Sequence, residues 1–227
     1  MTTKEKRDIF SRKHITPETA AYLGALTAPD EGYAAHVTAA MEKDGVRGLS
    51  VSAMEGRVLE TFARLSCARK AVEIGTLYGY SAHWLARGLP DGSRLYTLEK
   101  DPACVNAAKD GVEASSLSRK ITVMEGPAAD SLKTLAKLAP FDLCFIDAAP
   151  DDAPAYLRWA AANLRPGGVV LAGGVFLAGA QGGGDGGAAE GATRAMREFF
   201  HILFDGDRFV SASVLPAGEG LAAGIRA

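Results

Sequence analysis

Residues 70–81 read KAVEIGTLYGYS, and the reading of this stretch decides the fold. The apolar run from Lys70 stops at Gly75, a second glycine follows at Gly79, and a helical pattern continues from Ser81 to Leu89. Strand, glycine turn and helix in that order place residues 75–81 at the carboxyl end of a strand, where open parallel sheets bind their ligands. Gly75 and Gly79 allow a tight turn and a close approach of backbone to ligand. A plain tight turn would use the same glycines. Their G-x-x-x-G spacing differs from the G-x-G-x-x-G of dinucleotide binders, and no P-loop lysine follows. A pyrophosphate cradle, and with it a dehydrogenase, is therefore disfavoured.

Outward from this stretch, the next β-rich run, RLYTLE (94–99), ends in Glu99, 24 residues after Gly75. A carboxylate there accepts hydrogen bonds from both hydroxyls of a ribose. A glycine turn, no phosphate device and a ribose-binding acid together fit a nucleoside without phosphates, of which S-adenosylmethionine is the commonest cofactor. Further runs are 120–126, 141–147, 167–174, 209–216 and 220–226, with helix-length segments at Pro102–Ser115, Ala128–Leu138 and Ala153–Leu164. Alternation of this kind predicts an α/β fold, a parallel sheet with helices on both faces. The last two runs flank a turn at Pro216–Gly220 and suit a terminal hairpin. Thr16-Pro17 reads as a helix start, a second helix is expected from Glu31 to Lys43, and Ala53–Leu65 carries Met54, Val58, Leu59, Phe62 and Leu65 on one face. The expected organisation is one domain over 1–227, with a helical extension at 1–50 and a Rossmann-like core at 51–227. Gly179–Gly191, GAQGGGDGGAAEG, reads as a loop.

Composition narrows the function classes. Hydrophobic residues make up 48% and charged residues 23%, enough apolar material for a sizeable core. A net charge of −2 with scattered basic residues disfavours nucleic acid. Cys67, Cys104 and Cys144 are odd in number and widely spaced, so reduced core thiols are expected rather than a disulfide or zinc site. The opening MTTKEKRDIFSRKH is too polar for a signal peptide, and no apolar run reaches membrane-spanning length. A cytoplasmic protein away from membranes is the expectation.

AVEIGTLYGYSAHWLARGLP (71–90) resembles the cofactor motif of the catechol and caffeoyl-coenzyme A O-methyltransferase family. The resemblance continues through TLEKDP, EGPAAD, FDLCFIDA, Tyr156–Trp159 and LRPGGVVLAGG, and resumes at RAMREFFHILFDGDRF and VLPAGEGL. It implies a seven-stranded, mostly parallel sheet with a reversed final strand, an S-adenosylmethionine cofactor, a small-molecule methyl acceptor and a homodimer. It also implies roles for single residues. Glu73, Gly75 and Thr76 border the methionine part of the cofactor, with Gly79 and Tyr80 in the same motif. Ser81 bonds the methionine carboxylate and Glu99 holds the ribose. Gly126 leads to Ala128 at the adenine, Val51 offers backbone contacts, and Asp147 stands beside the sulfonium.

The pattern breaks at the family's divalent cation. Its ligands are the first Asp of D-A-D-K and an Asp-Asn pair after the fifth strand, and the resemblance maps these onto Asp147-Ala148-Ala149-Pro150 and Gly173-Gly174. Only Asp147 remains, and the family lysine is Pro150. No metal ligand set is expected, Asp151 and Asp152 being read as caps or solvated groups. Asp147 becomes the preferred catalytic base over His14, His36 and His201, and Tyr156 and Trp159, one helical turn apart, are candidate acceptor contacts. The expected activity is O-methyl transfer without the metal; the alternative is a degenerate cofactor-binding partner protein. The glycine-rich loop beside the lost ligand pair suggests a changed acceptor.

Overall fold

The computed structural model describes residues 16–27, 32–177 and 187–227. Among them seven strands form one sheet: β1 Lys70–Ile74, β2 Arg94–Glu99, β3 Ile121–Glu125, β4 Phe141–Ile146, β5 Leu164–Ala172, β6 Phe209–Leu215 and β7 Leu221–Arg226. Their order is β3-β2-β1-β4-β5-β7-β6. Strands β1 to β5 pair in parallel, and β7 runs antiparallel to both neighbours. The final two runs do pair as a hairpin, with the second arm inserted between β5 and β6. Leu221, Ala222 and Ala223 of β7 are buried, whereas β6 carries Ser211, Ser213 and the exposed Val210 at the sheet edge.

The helices are α1 Pro17–Thr27, α2 Tyr33–Lys43, α3 Ala53–Leu65, α4 Tyr80–Gly88, α5 Pro102–Glu113, α6 Ala128–Leu135, α7 Ala153–Asn163 and α8 Gly187–Leu203. Their starts follow local chemistry. Thr16 Oγ1 accepts the Thr19 N–H at 3.2 Å. Ser52 and Glu55 form a reciprocal capping box, at 3.2 and 2.8 Å; such a cap contributes about 1 kcal/mol. Asp101 accepts the Ala103 N–H at 2.8 Å, ahead of Pro102 at the first helical position. The α6 segment tightens into a 3₁₀ turn at Ala136–Leu138 rather than continuing as α-helix. The expected loop over Gly179–Gly191 is corrected at its end: residues 187–191 are the first turn of α8. Ala188-Ala189-Glu190 is a good helix-forming run, and the helix is held further on by buried Met196, Phe199, Ile202 and Leu203. The rest of that stretch, 179–186, lies outside the described residues.

Strand alternation divides the core between the two sheet faces. Ala71, Leu95, Leu143 and Phe145 meet Leu59, Trp84 and Leu85 on one face; Val72, Ile74, Cys144 and Ile146 meet Leu135, Leu157 and Phe199 on the other. α3 and α4 cross closely because Gly56 has no side chain, since a Cβ there would lie 2.3 Å from the Trp84 indole. α2 belongs to the first core through Val37 and Met41, and its end is tied to the β1 turn by Tyr78, whose hydroxyl donates to Asp44 at 2.7 Å. Tyr22 and Leu26 of α1 are exposed. All three thiols are free, but only Cys144 is buried, while Cys104 is half-buried and Cys67 is exposed, so the expectation of three core cysteines is corrected. Among the described residues no helix is long and apolar enough to cross a membrane.

Candidate cofactor and acceptor site

Strand order reverses between β1 and β4, and a cavity of about 830 Å³ opens at their carboxyl ends. Its wall includes Gly75, Thr76 and Ser81 after β1, Glu99 after β2, Gly126 and Ala128 after β3, Asp147 after β4 and Gly173 after β5, with Val51 entering ahead of α3. Each strand end thus contributes the residue singled out in the sequence. Tyr156 also lines the cavity.

The β1 turn is built around an unavoidable close approach. Gly75 has φ 98°, and a Cβ on it would stand 2.0 Å from the Asp147 carbonyl oxygen. Its N–H bonds the Leu98 carbonyl at 3.0 Å, while Asp147 N–H bonds the Ile74 carbonyl at 2.9 Å. Gly79 closes the turn in the left-handed region at φ 84°, directly before α4. Leu77, which the sequence reading passed over, lines the cavity with φ 47°. A left-handed non-glycine residue costs about 1–2 kcal/mol. Glu99 offsets this by accepting the Leu77 N–H at 2.9 Å and the Thr76 N–H at 3.3 Å on Oε2. Its Oε1 accepts the N–H groups of Lys100 and Asp101 at 2.8 and 2.9 Å. Glu99 therefore fastens two turns together besides facing the cavity, a structural task that its sequence position did not disclose.

Asp147 faces the cavity half-buried, and no other described side chain forms a hydrogen bond with its carboxylate. Withdrawal from water and, secondarily, the charge of Glu55 push it up to about 7. Glu55, buried beneath the same wall, is a second residue absent from the sequence reading, although its Ser-x-x-Glu box was readable there. The family cation finds no fit here. A Cβ on Gly173 would point at Asp147 Oδ1 from 2.9 Å, the direction from which a carboxylate at 173 would share a metal, but glycine supplies no donor. No group of three or more acidic, His or Cys side chains among the described residues is arranged to hold a metal. Asp151 and Asp152 are exposed, and Asp152 stands at the start of α7 without making a capping bond, so of the two roles read for them the structure shows solvation.

Several expected residues stand apart from the cavity. Glu73 is fully buried behind the wall, and Tyr80 packs in the core under the Arg47 guanidinium, 4.9 Å from its ring centroid. Trp159 turns away from the cavity. Its ring packs on Phe141 at 5.6 Å, at the opposite end of β4, and its N–H donates to the Leu132 carbonyl at 3.1 Å. Helix packing of α7 against the sheet accounts for it. His36 and His201 are exposed and do not line the cavity, and His14 lies outside the described residues.

The model of the O-methyltransferase family matches residues 26–226. The chain belongs to that family. It is an S-adenosylmethionine-dependent O-methyltransferase of the α/β type. Catechol O-methyltransferase of Mycobacterium tuberculosis is 36% identical over 72% of this chain and 74% of that protein. The one from Niastella koreensis is 34% identical over 66% and 69%. The O-methyltransferase of Bacillus cereus solved in complex with SAH superposes with a TM-score of 0.82 at 29% identity, covering 92% of this chain and 97% of that one. TomG of Streptomyces achromogenes, solved with SAM, gives 0.83 at 30%, covering 92% and 96%.

Proposed function

We propose that this methyltransferase holds S-adenosylmethionine along the ends of β1 to β3 and methylates a small aromatic hydroxyl compound without a divalent cation. The observation that carries this reading is the single cavity bounded by the Gly75 turn, Glu99 and Asp147. The methionine carboxylate lies at the start of α4, taken by the Ser81 hydroxyl and free N–H groups of the first turn. The ribose lies on Glu99, where its hydroxyls displace or share the N–H donors that Glu99 now accepts. The adenine lies on Gly126 and Ala128. The acceptor lies at the ends of β4 and β5, among Tyr156, Val175, Leu177, Met196 and Phe199.

The reaction is an in-line displacement. A lone pair of the acceptor oxygen forms the new O–C bond, the S–C bond breaks, and its electron pair stays on sulfur, leaving S-adenosylhomocysteine. The acceptor proton passes to Asp147, whose raised pKa suits a base working near neutrality. Holding the oxygen in line supplies much of the acceleration. Lewis-acid activation is given no part, because Gly173 and Gly174 provide no ligands beside Asp147. Support for a homodimer comes from the exposed Tyr22 and Leu26 on α1, and for a cytoplasmic site from three free thiols. No observation favours an idle binding subunit.

The test is methyl transfer from labelled cofactor to a panel of phenols and catechols in EDTA, at pH values from about 5 to 9. The reading expects turnover in EDTA that rises with a midpoint near pH 7 and levels off above it. Turnover that appears only when Mg²⁺ is added would overturn the metal-free assignment, and no turnover with any hydroxyl acceptor would overturn the acceptor class.

A further inference from the structure

Behind the cofactor wall lies a hydrogen-bond chain that the reaction as described does not use. Glu73, at the middle of the sheet, has no surface exposure. Its Oε2 is 2.6 Å from Thr97 Oγ1 on β2, and Thr97 Oγ1 is 2.5 Å from Thr76 Oγ1. The Ser81 hydroxyl stands near enough to the same carboxyl group to favour its charged form, and Oε1 has no hydrogen-bond partner. Thr76 and Ser81 are the two members of this chain that line the cavity.

Each hydroxyl has a single hydrogen, so the direction of the chain depends on one proton. With Glu73 ionised, Thr97 and Ser81 both donate to it, and Thr76 donates to Thr97. All the hydroxyl hydrogens then point inward. With Glu73 protonated, its own O–H donates to Thr97, Thr97 donates to Thr76, and the hydrogens of Thr76 and Ser81 are released toward the cavity. There they meet the methionine carboxylate, an anion that also repels an ionised Glu73.

We propose that Glu73 and Thr97 are positioning residues: the proton on Glu73, relayed through Thr97, turns the Thr76 and Ser81 hydroxyls outward as donors for the cofactor's carboxylate. The proposal rests on the cofactor placement above. Burial favours the protonated form and pushes Glu73 up to about 8, against the hydrogen bonds from Thr97 and Ser81. The titratable groups facing it, Asp147 at the end of β4 and Glu99 at the end of β2, are both acidic and raise it further. The unpartnered Oε1 acts in the same direction, since a buried anionic oxygen without a donor is costly.

The experiment is calorimetric titration of S-adenosylhomocysteine into the full chain at several pH values between about 6.5 and 9.5, in buffers of different ionisation heat. Wild type is compared with Glu73→Gln, Thr97→Val and Thr97→Ser. The ligand's own amine titrates identically in all four and cancels in the ratio. Wild-type affinity is expected to fall roughly tenfold more than that of Glu73→Gln across this range, with proton uptake on binding above pH 8 greater in wild type and Thr97→Ser than in Glu73→Gln, as linkage requires. Thr97→Val flattens the dependence and Thr97→Ser restores it. Parallel profiles for wild type and a folded Glu73→Gln, or wild-type proton uptake no greater than the ligand's own amine accounts for, overturn the proposal, the second even if a variant misfolds. Absence of wild-type binding at every pH instead removes the cofactor placement, and the proposal with it.

Discussion

The cofactor half of the cavity, between β1 and β3, is fastened by its own backbone, with Gly75 wedged against the Asp147 carbonyl and Glu99 accepting N–H groups from the turns after β1 and β2. In the acceptor half, between β4 and β5, Asp147 stands opposite Gly173 and Gly174, and its carboxylate is held by no described side chain. The first half is determined by close approaches that tolerate almost no substitution. In the second, side chains alone set the chemistry, and glycines at 173 and 174 bring none to it. Side chains at the ends of β4 and β5 can therefore vary without disturbing the backbone contacts around Gly75.

The sharpest break of this contrast is at the wedge. Gly75→Val pushes a side chain into the Asp147 carbonyl and is expected to abolish binding of S-adenosylhomocysteine by calorimetry, a loss of at least ~1000-fold, while circular dichroism separates lost binding from lost fold. Asp147→Asn attacks the acceptor half alone. It is expected to lower kcat about 100- to 10,000-fold for a phenolic acceptor, with cofactor affinity within a few-fold. The wild-type rate climbs as Asp147 loses its proton, with a midpoint near pH 7, and the variant's residual rate lacks that limb. Equal losses in kcat and cofactor affinity would merge the two halves into one.

A milder test concerns stability. Glu73 is raised to about 8, so its contribution to stability is full below the ordinary carboxylate pKa and is lost as pH rises through 8. The melting temperature of wild type is therefore expected to decline from about pH 5 to pH 8, with a shallower decline in Glu73→Gln. The smallest effect belongs to chelation. EDTA is expected to change turnover less than about twofold, and a loss greater than ~10-fold would require ligands that Gly173 and Gly174 cannot supply.

Much of this contrast was legible before any coordinates. KAVEIGTLYGYS marks the first strand and turn because glycine is needed where backbone meets backbone, and Glu99 follows at the spacing of a ribose acid. The glycine pair Gly173-Gly174 was equally plain, and the structure places Gly173 beside Asp147. What stayed hidden depended on contacts between distant segments. Trp159 lies one helical turn from Tyr156, yet the pairing of α7 with Phe141 sends its ring to the far end of the sheet. Glu55 carries no signal beyond its Ser-x-x-Glu spacing until α3 is seen to bring its charge to bear on Asp147. Thr97 looks like an ordinary strand threonine until its register opposite Glu73 is known.

The most direct test of the central claim is calorimetric titration of S-adenosylhomocysteine into EDTA-treated protein, alongside Glu99→Ala. Micromolar binding without metal, weakened at least ~10-fold in the variant, is the result expected of an intact cofactor half beside a metal-free acceptor half. Absence of binding to wild type, or binding that appears only when a divalent cation is restored, would contradict it.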